Sequence, residues 1–530
     1  MSRLPDPWQA GLAAGWRVRD ASQLTADLQL ECDVAIVGSG AGGGMAAELL
    51  AQAGLRVVLL EEGALHSSQD FRLDEAQAYP QLYQESANRQ TADKGITILQ
   101  GRCVGGSSTV NWTSSFRTPP ATLDWWRQAH GLAGLEEATM APWFERAEAR
   151  LGIAPWQSDP NANNAVLARG CAALGLSHGR MRRNVRGCWN LGYCGTGCAT
   201  NAKQSMLVTT IPAALAAGAQ LLTRLRVRQL QLAGGRVAGV LAEALQADGV
   251  RTSGRRVTVT ARQVVLSAGA IGTPAILLRS RAPDPYRQLG KRTFLHPVLL
   301  SGALFAERID GYYGAPQSVY SDHFLHVDAI DGPLGYKLEV PPIHPLIMAA
   351  TLPGNAAVHQ RLMQRMPQLN VTLALLRDGF HPRSVGGQVR LRADGSPLLD
   401  YPLGELEWQA ARRALLSMAE LQFAAGARAV LPVHEDAGLA RSWHAARQMI
   451  AALPMQTLRT RVVSAHVMGG AAMAADERHG VVDAYGRHWQ LPNLTVIDGS
   501  LFPTSVGANP KLSVYAFALR AAEALRRRLA

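Results

Sequence analysis

The sequence predicts an α/β protein: a β-α-β unit on a parallel sheet, joined to a separate β-rich module. Three observations predict it. A β-branched apolar run, Val34-Ala35-Ile36-Val37, leads straight into a glycine-rich turn, a helix-like segment and a second apolar run. Small-residue turns follow other strand-like runs late in the chain, at Val264 to Pro274 and Leu494 to Ser500. Residues 300–460 hold no such motif but carry short strand-like runs between Gly, Pro and Asp turns. The chain has 530 residues, enough for two or three domains at ~150 residues each.

The first unit reads in order. Val34 to Val37 is a buried strand. Gly38-Ser39-Gly40-Ala41-Gly42-Gly43-Gly44 follows, with Gly38, Gly40 and Gly43 in G-x-G-x-x-G spacing. Met45 to Gln52 reads as a helix closed by Gly54, and Arg56 to Leu60 as a second strand ending at Glu61. The glycines permit a tight turn and close backbone approach, and the helix N-terminus offers free N–H groups to a pyrophosphate. Glu61 stands 18 residues past Gly43, near the ~20 expected of the carboxylate that binds a ribose hydroxyl. This unit alone does not separate one dinucleotide from another.

Further segments do. Gly101 to Asn111 puts Gly105, Gly106, Ser107 and Ser108 where backbone can approach a flat ligand. Ser267 to Pro274 is a glycine turn after a strand, Leu494 to Ser500 another strand and turn, and Ser513 to Leu529 an Ala/Leu/Arg-rich helix. With Trp125-Trp126 and Pro142 to Glu148, these segments resemble the glucose–methanol–choline (GMC) flavoenzyme family along almost the whole chain. The resemblance implies FAD and a discontinuous FAD-binding domain (1–125, 185–299 and 461–530). It implies a connecting segment and substrate domain (126–184 and 300–460) with a mainly antiparallel sheet and helices. It assigns Gly38, Gly40, Gly43, Glu61, Gly105, Gly106, Ser107, Asn111, Ala268, Asp498 and Pro510 to the cofactor.

Flavin-linked alcohol oxidation transfers a hydride while the hydroxyl proton leaves. A histidine, with an unperturbed pKa of ~6.5, suits that proton. Fourteen histidines compete. His466 stands out in the small-residue loop Ser464 to Gly470, and the resemblance aligns it with the family's base. Asn509, in Gly507-Ala508-Asn509-Pro510, aligns with the group that holds the alcohol oxygen. An Asn keeps a donor but takes no proton, so His466 is expected to be the only base of the pair. The Gly469-Gly470-Ala471 that follows departs from the family's usual G-T-C. His296, before Pro297, is a second histidine expected near the site, more simply read as a turn residue. A hydrophobic primary or secondary alcohol is expected, from the cysteine segment described next and from the apolar residues of 340–352.

Cys188, Cys194 and Cys198 fall within eleven positions. Two readings stand. Long-chain alcohol oxidases have a similar Cys-Gly-x-Gly-Cys segment before Lys-Gln-Ser, matched here by Cys194 to Cys198 and Lys203 to Ser205, which favours a metal-free loop. Iron–sulfur sugar dehydrogenases of the same family carry three cysteines in a comparable region, and three thiolates can hold a three-iron cluster. That second reading makes a sugar or polyol dehydrogenase the alternative function, beside a flavin-containing lyase.

Composition narrows the partners. Net charge is +12, and the only lysines are Lys94, Lys203, Lys291, Lys337 and Lys511, so arginine dominates. The arginines are dispersed and no nucleic-acid-binding motif accompanies them, so nucleic acid is not expected. No apolar stretch reaches the ~18 residues of a membrane span. Met1 to Arg17 lacks the apolar run of a secretory signal, so a cytoplasmic location is expected. Peripheral attraction to an anionic membrane is the functional alternative for the charge. Expected partners are a small-molecule alcohol and an electron acceptor, namely oxygen, a quinone or a redox protein.

Overall fold

A computed structural model describes residues 6–530. The first five residues of the leader read above lie outside it. Two large sheets organise the chain. In the first, the strands run in the order Arg17–Asp20, Gln220–Thr223, Val57–Leu60, Leu28–Val37, Thr252–Leu266, Arg236–Leu245 and Leu225–Ala233. The first five are parallel to their neighbours, and the last two form an antiparallel edge. Leu494–Val496 pairs in parallel with the C-terminal end of Thr252–Leu266, beyond the reach of Arg236–Leu245.

The central strand Val34 to Val37 is buried on both faces, which explains its unbroken apolar run. The helix after the glycine turn spans Ala41–Gln52, four residues earlier than the glycines alone suggest. Tertiary packing forces that start. A Cβ on Gly42 would lie 1.6 Å from the Ile497 carbonyl oxygen, and one on Gly43 would lie 1.9 Å from the Gly38 carbonyl oxygen. The low helix propensity of glycine yields to a contact that only glycine fits. The C-terminal helix Lys511–Leu529 covers this helix and carries a buried stripe including Leu512, Tyr515, Phe517 and Leu525.

The second sheet is mainly antiparallel. Its path includes Val462–Ser464, Val298–Leu304, Leu369–Leu376, Tyr336–Glu339 and Val319–Ser321. Strands Arg89–Gln90, Ile96–Ile98 and Val462–Ser464, from segments assigned above to the first domain, pair in this sheet. Conversely, Trp126, Met140, Phe144 and Leu151, from the segment assigned to the second domain, pack into the first core. Leu369–Leu376 alternates as a strand between two layers must. Ala374 and Leu376 face the helix Glu405–Ala424, while Val371, Leu373 and Leu375 face a third apolar cluster with Val298 and Leu300. Gln388–Leu391 is a strand, as its pattern suggests, but in a separate ribbon with Pro397–Asp400. Among the described residues no helix is long and apolar enough to cross a membrane.

Candidate active site

In a parallel sheet, ligands gather at the C-terminal ends of the strands. Gly38 follows Val37, Glu61 follows Leu60, Ala268 lies two residues past Leu266, and Asp498 two past Val496. The ladder carries each into place. Gly38 N–H donates to Leu60 O at 2.8 Å, Glu61 N–H to Leu222 O at 2.8 Å, Ser267 N–H to Val37 O at 2.7 Å and Ile497 N–H to Leu266 O at 2.8 Å. All four groups open on one cavity of about 590 Å³, which Gly40, Gly106, Ser107, Asn111 and Pro510 also line.

Gly40 tests the fit of a dinucleotide. A Cβ there would meet only Gly106 Cα, at 3.9 Å, so its open side is cavity. Gly106 closes the turn from across the gap, with φ +52°. The pocket is thus a backbone cradle at a helix N-terminus, suited to a pyrophosphate. Arg102 and Arg226 also line it, and Glu62 pairs with both, at 3.1 and 2.9 Å.

Glu61 is buried. Its Oε2 accepts Ser39 N–H at 3.0 Å and Ser39 Oγ–H at 2.5 Å, and its Oε1 accepts Gly63 N–H at 2.8 Å. Burial pushes its carboxyl above the usual range, against these bonds. Asp498 is likewise raised by burial; its Oδ2 accepts Gly269 N–H at 2.9 Å and Thr273 Oγ–H at 2.6 Å. Gly43 and Gly105 do not line the cavity. They serve packing: a Cβ on Gly105 would lie 2.4 Å from Thr109 Oγ1.

His466 and Asn509 line the same cavity, His466 from the loop after Val462–Ser464 and Asn509 just before the last helix. Burial lowers His466 to about 4, so the ring is neutral at neutral pH. Its Nδ1 lies 3.1 Å from Nδ1 of His296, whose ring is fully buried. His296 is therefore more than a turn residue. Its backbone sits at φ +51°, a conformation rare for a side-chain-bearing residue. The buried Asp378 holds that conformation, accepting the N–H groups of Leu295 and His296 at 3.0 and 3.2 Å and the Tyr401 hydroxyl at 2.6 Å. Nothing in the local sequence marks Asp378; its role arises from a strand distant in the chain. The far wall is apolar, with Trp112, Val298, Leu373, Leu375 and Val463. The apolar residues of 340–352 are elsewhere: Val340 and Ile343 are core, and Leu346 is exposed.

The cysteine loop bears on its two readings. Among the described residues, no group of three or more His, Cys, Asp or Glu side chains has a metal-holding arrangement. Each thiol is engaged locally instead. Cys188 Sγ accepts Asn190 N–H at 3.4 Å, Cys194 Sγ accepts Arg183 Nη2–H at 3.7 Å, and Cys198 Sγ accepts Lys203 N–H at 3.4 Å. The placement of Cys188, Cys194 and Cys198 thus gives the cluster reading no support. The buried Lys203 straps this loop to the cofactor segment, donating to the carbonyls of Thr109, Asn111 and Cys194 at 2.6, 2.8 and 2.6 Å. Its burial costs less because three carbonyls receive its three N–H groups.

Comparison with known proteins identifies the family. Residues 79–298 and 382–518 match the GMC oxidoreductase family, and residues 31–72 match an FAD binding domain. The chain belongs to the GMC oxidoreductase family and is an FAD-dependent oxidoreductase. It is 29% identical over 507 residues to an uncharacterized GMC-type oxidoreductase of Sinorhizobium fredii, covering 94% of this chain and 96% of that one. It is 28% identical over 512 residues to a long-chain-alcohol oxidase of Arabidopsis thaliana, covering 92% of this chain and 66% of that one. Among solved structures, pyridoxine 4-oxidase from Mesorbium loti superposes with TM-score 0.68 at 20% identity, covering 94% of this chain and 99% of that one.

Proposed function

We propose that this chain oxidises a hydrophobic primary or secondary alcohol to the aldehyde or ketone, with His466 as base and Asn509 holding the oxygen. The observation that carries the reading is that His466 and Asn509 line the same cavity as the glycine cradle. The apolar wall around Leu373 and Leu375 and the likeness to long-chain-alcohol oxidases support a hydrophobic substrate.

Bound FAD supplies the hydride acceptor that no side chain can provide. The chain handles the proton and the oxygen. His466 Nδ1 is taken up by His296, so Nε2 is the ring nitrogen left for the hydroxyl proton. For Nε2 to accept, the shared proton resides on His466 Nδ1, and His296 Nδ1 accepts it. His296 thus fixes the tautomer and stays as acceptor when His466 becomes cationic. Asn509 offers an amide N–H to the oxygen as it loses its proton. Gly40 and Gly106 keep the cradle free of side chains.

The electron acceptor is oxygen, a quinone or a redox protein, and the +12 charge is compatible with peripheral attachment to an anionic membrane. The test is an anaerobic panel of fatty, aryl and steroid alcohols against sugars and choline, read by bleaching of the bound flavin. Bleaching by the first group supports the reading. Bleaching by sugars or choline alone sinks the substrate class, and bleaching by no alcohol sinks the reaction. Reoxidation by each acceptor then names the acceptor.

A further inference from the structure

Asn509 is itself held by a carboxyl group that the sequence does not advertise. Its Nδ2 donates to Oε2 of Glu339 at 3.1 Å, and Gln317 Nε2 donates to the same oxygen at 2.5 Å. Glu339 ends the strand Tyr336–Glu339 and is fully buried; its Oε1 is buried without a partner. Ser114 Oγ–H donates in turn to Gln317 Oε1. Ser114, Gln317 and Asn509 all line the cavity. Lys337, two residues earlier on the same face, is also buried, with its ammonium over the rings of Phe116 and Tyr320 at 3.6 and 4.0 Å.

This arrangement is expensive. Burial pushes the Glu339 carboxyl up, and Lys337 and Asn509 only offset it. Replacing a whole buried ion pair by apolar residues of similar size is often neutral or stabilising, so the pair itself is weak evidence of a stabilising role. The cluster therefore calls for a reason other than stability.

We propose that Glu339 is a positioning residue for the oxidation, fixing which end of the Asn509 amide serves the alcohol oxygen. The inference rests on Asn509 holding that oxygen. The two ends of a primary amide have nearly the same shape, and only hydrogen-bond partners choose between them. An ionised carboxylate accepts and cannot donate, so it draws Nδ2 and repels Oδ1. One N–H of Asn509 is spent on Glu339, and the second remains for the substrate oxygen. Without the carboxylate the amide can turn over and offer Oδ1, which cannot stabilise an oxygen that is losing its proton. Gln317 pins the carboxylate from the other side.

A double-mutant cycle tests this on the FAD-loaded protein. Glu339→Leu removes the acceptor at similar volume; Glu339→Gln keeps the shape and serves if the leucine variant fails to fold. Each is measured alone and with Asn509→Ala, by the rate of flavin bleaching at saturating alcohol, with flavin content and thermal midpoint as controls. The expected result is a fall of about tenfold to a hundredfold for Glu339→Leu, short of the ~10²–10³ of a donor lost outright. Flavin content stays level, and the thermal midpoint falls for Glu339→Leu because Lys337 is left buried without its counter-charge. In the Asn509→Ala background the Glu339 change has no further effect. The same fall in both backgrounds, or none in the native one, overturns the proposal. If Asn509→Ala alone leaves the rate unchanged, the oxygen-holding reading is what fails, and the positioning role goes with it.

Discussion

The two ends of the cavity are made differently. At the nucleotide end, Gly38, Glu61, Ala268 and Asp498 take their places because strands stop there, and the contact surface is backbone and glycine. At the reacting end, His296, Glu339 and His466 come from loops and strand ends of the second sheet and Asn509 from the turn before the last helix, and the surface is side chain held by side chain. The first end is damaged by adding atoms and the second by removing them. A backbone cradle tolerates much sequence change outside its glycines, whereas the reacting end depends on identities that only neighbours explain.

The sharpest break in that comparison is His466→Ala. It is expected to slow flavin bleaching by alcohol by ~10²–10⁴-fold with flavin content unchanged. Anaerobic rapid mixing checks it, and a rate within ~threefold of native would remove the base assignment. At the other end, the contrast is between two glycines. Gly42→Ala puts a methyl 1.6 Å from Ile497 O and is expected to cost ~1–3 kcal/mol or more. Gly40→Ala meets no protein atom closer than 3.9 Å, so the chain should fold at its native thermal midpoint yet purify without flavin. A flavin-replete Gly40→Ala would show that the cradle lies elsewhere.

Smaller effects refine the reacting end. His296→Leu deletes the acceptor of the His466 Nδ1–H and should cost about tenfold in bleaching rate, the value of one hydrogen bond to a charged group. An unchanged rate would reduce His296 to a packing residue. The pH profile follows from the burial of His466. A base lowered to about 4 remains neutral, and competent, well below the ordinary histidine value. The His466 limb should appear only as pH approaches 4, while Glu339, pushed up to about 7 by burial, adds an earlier decline as its carboxyl takes a proton and frees the Asn509 amide to turn. An ordinary histidine at ~6.5 would already have lost about fourfold at pH ~6. An acid limb there that persists in Glu339→Gln would mean that His466 is solvated in the working enzyme. Least of all, combined Cys188→Ser, Cys194→Ser and Cys198→Ser should leave the flavin spectrum and bleaching rate within ~twofold of native, with no iron in the native protein. Stoichiometric iron and acid-labile sulfide would reinstate the cluster.

Much of the nucleotide end was legible beforehand because its interactions are local. Strand, turn, helix and strand follow within about 30 residues, the span of a β-α-β unit, and Gly38, Gly42 and Gly43 each have a neighbour that a Cβ would strike. The reacting end was legible only where a small-residue loop or a family likeness pointed to His466 and Asn509. His296 was visible but undervalued, because its worth lies in a 3.1 Å contact with a residue far along the chain. Asp378 and Glu339 carry no local signal. In sequence they are an acid after an apolar strand and an acid ending another. The apolar stretch 340–352 misdirected, since hydrophobicity predicts burial but not which cavity a buried residue borders. The cysteine spacing was compatible with ligation, yet the thiols settle on nearby N–H donors.

By itself, then, the sequence determined the flavin cradle, the order of its strands and glycines, and the two residues proposed to handle the proton and the alcohol oxygen. Tertiary structure alone decided that both sheets share those segments, that His296 backs His466, that Glu339 backs Asn509, and that each thiol of the cysteine loop sits on a nearby N–H donor. Periodicity and glycine spacing record contacts made within one supersecondary unit. A buried polar group is explained only by the partner that satisfies it, and here that partner comes from another part of the chain.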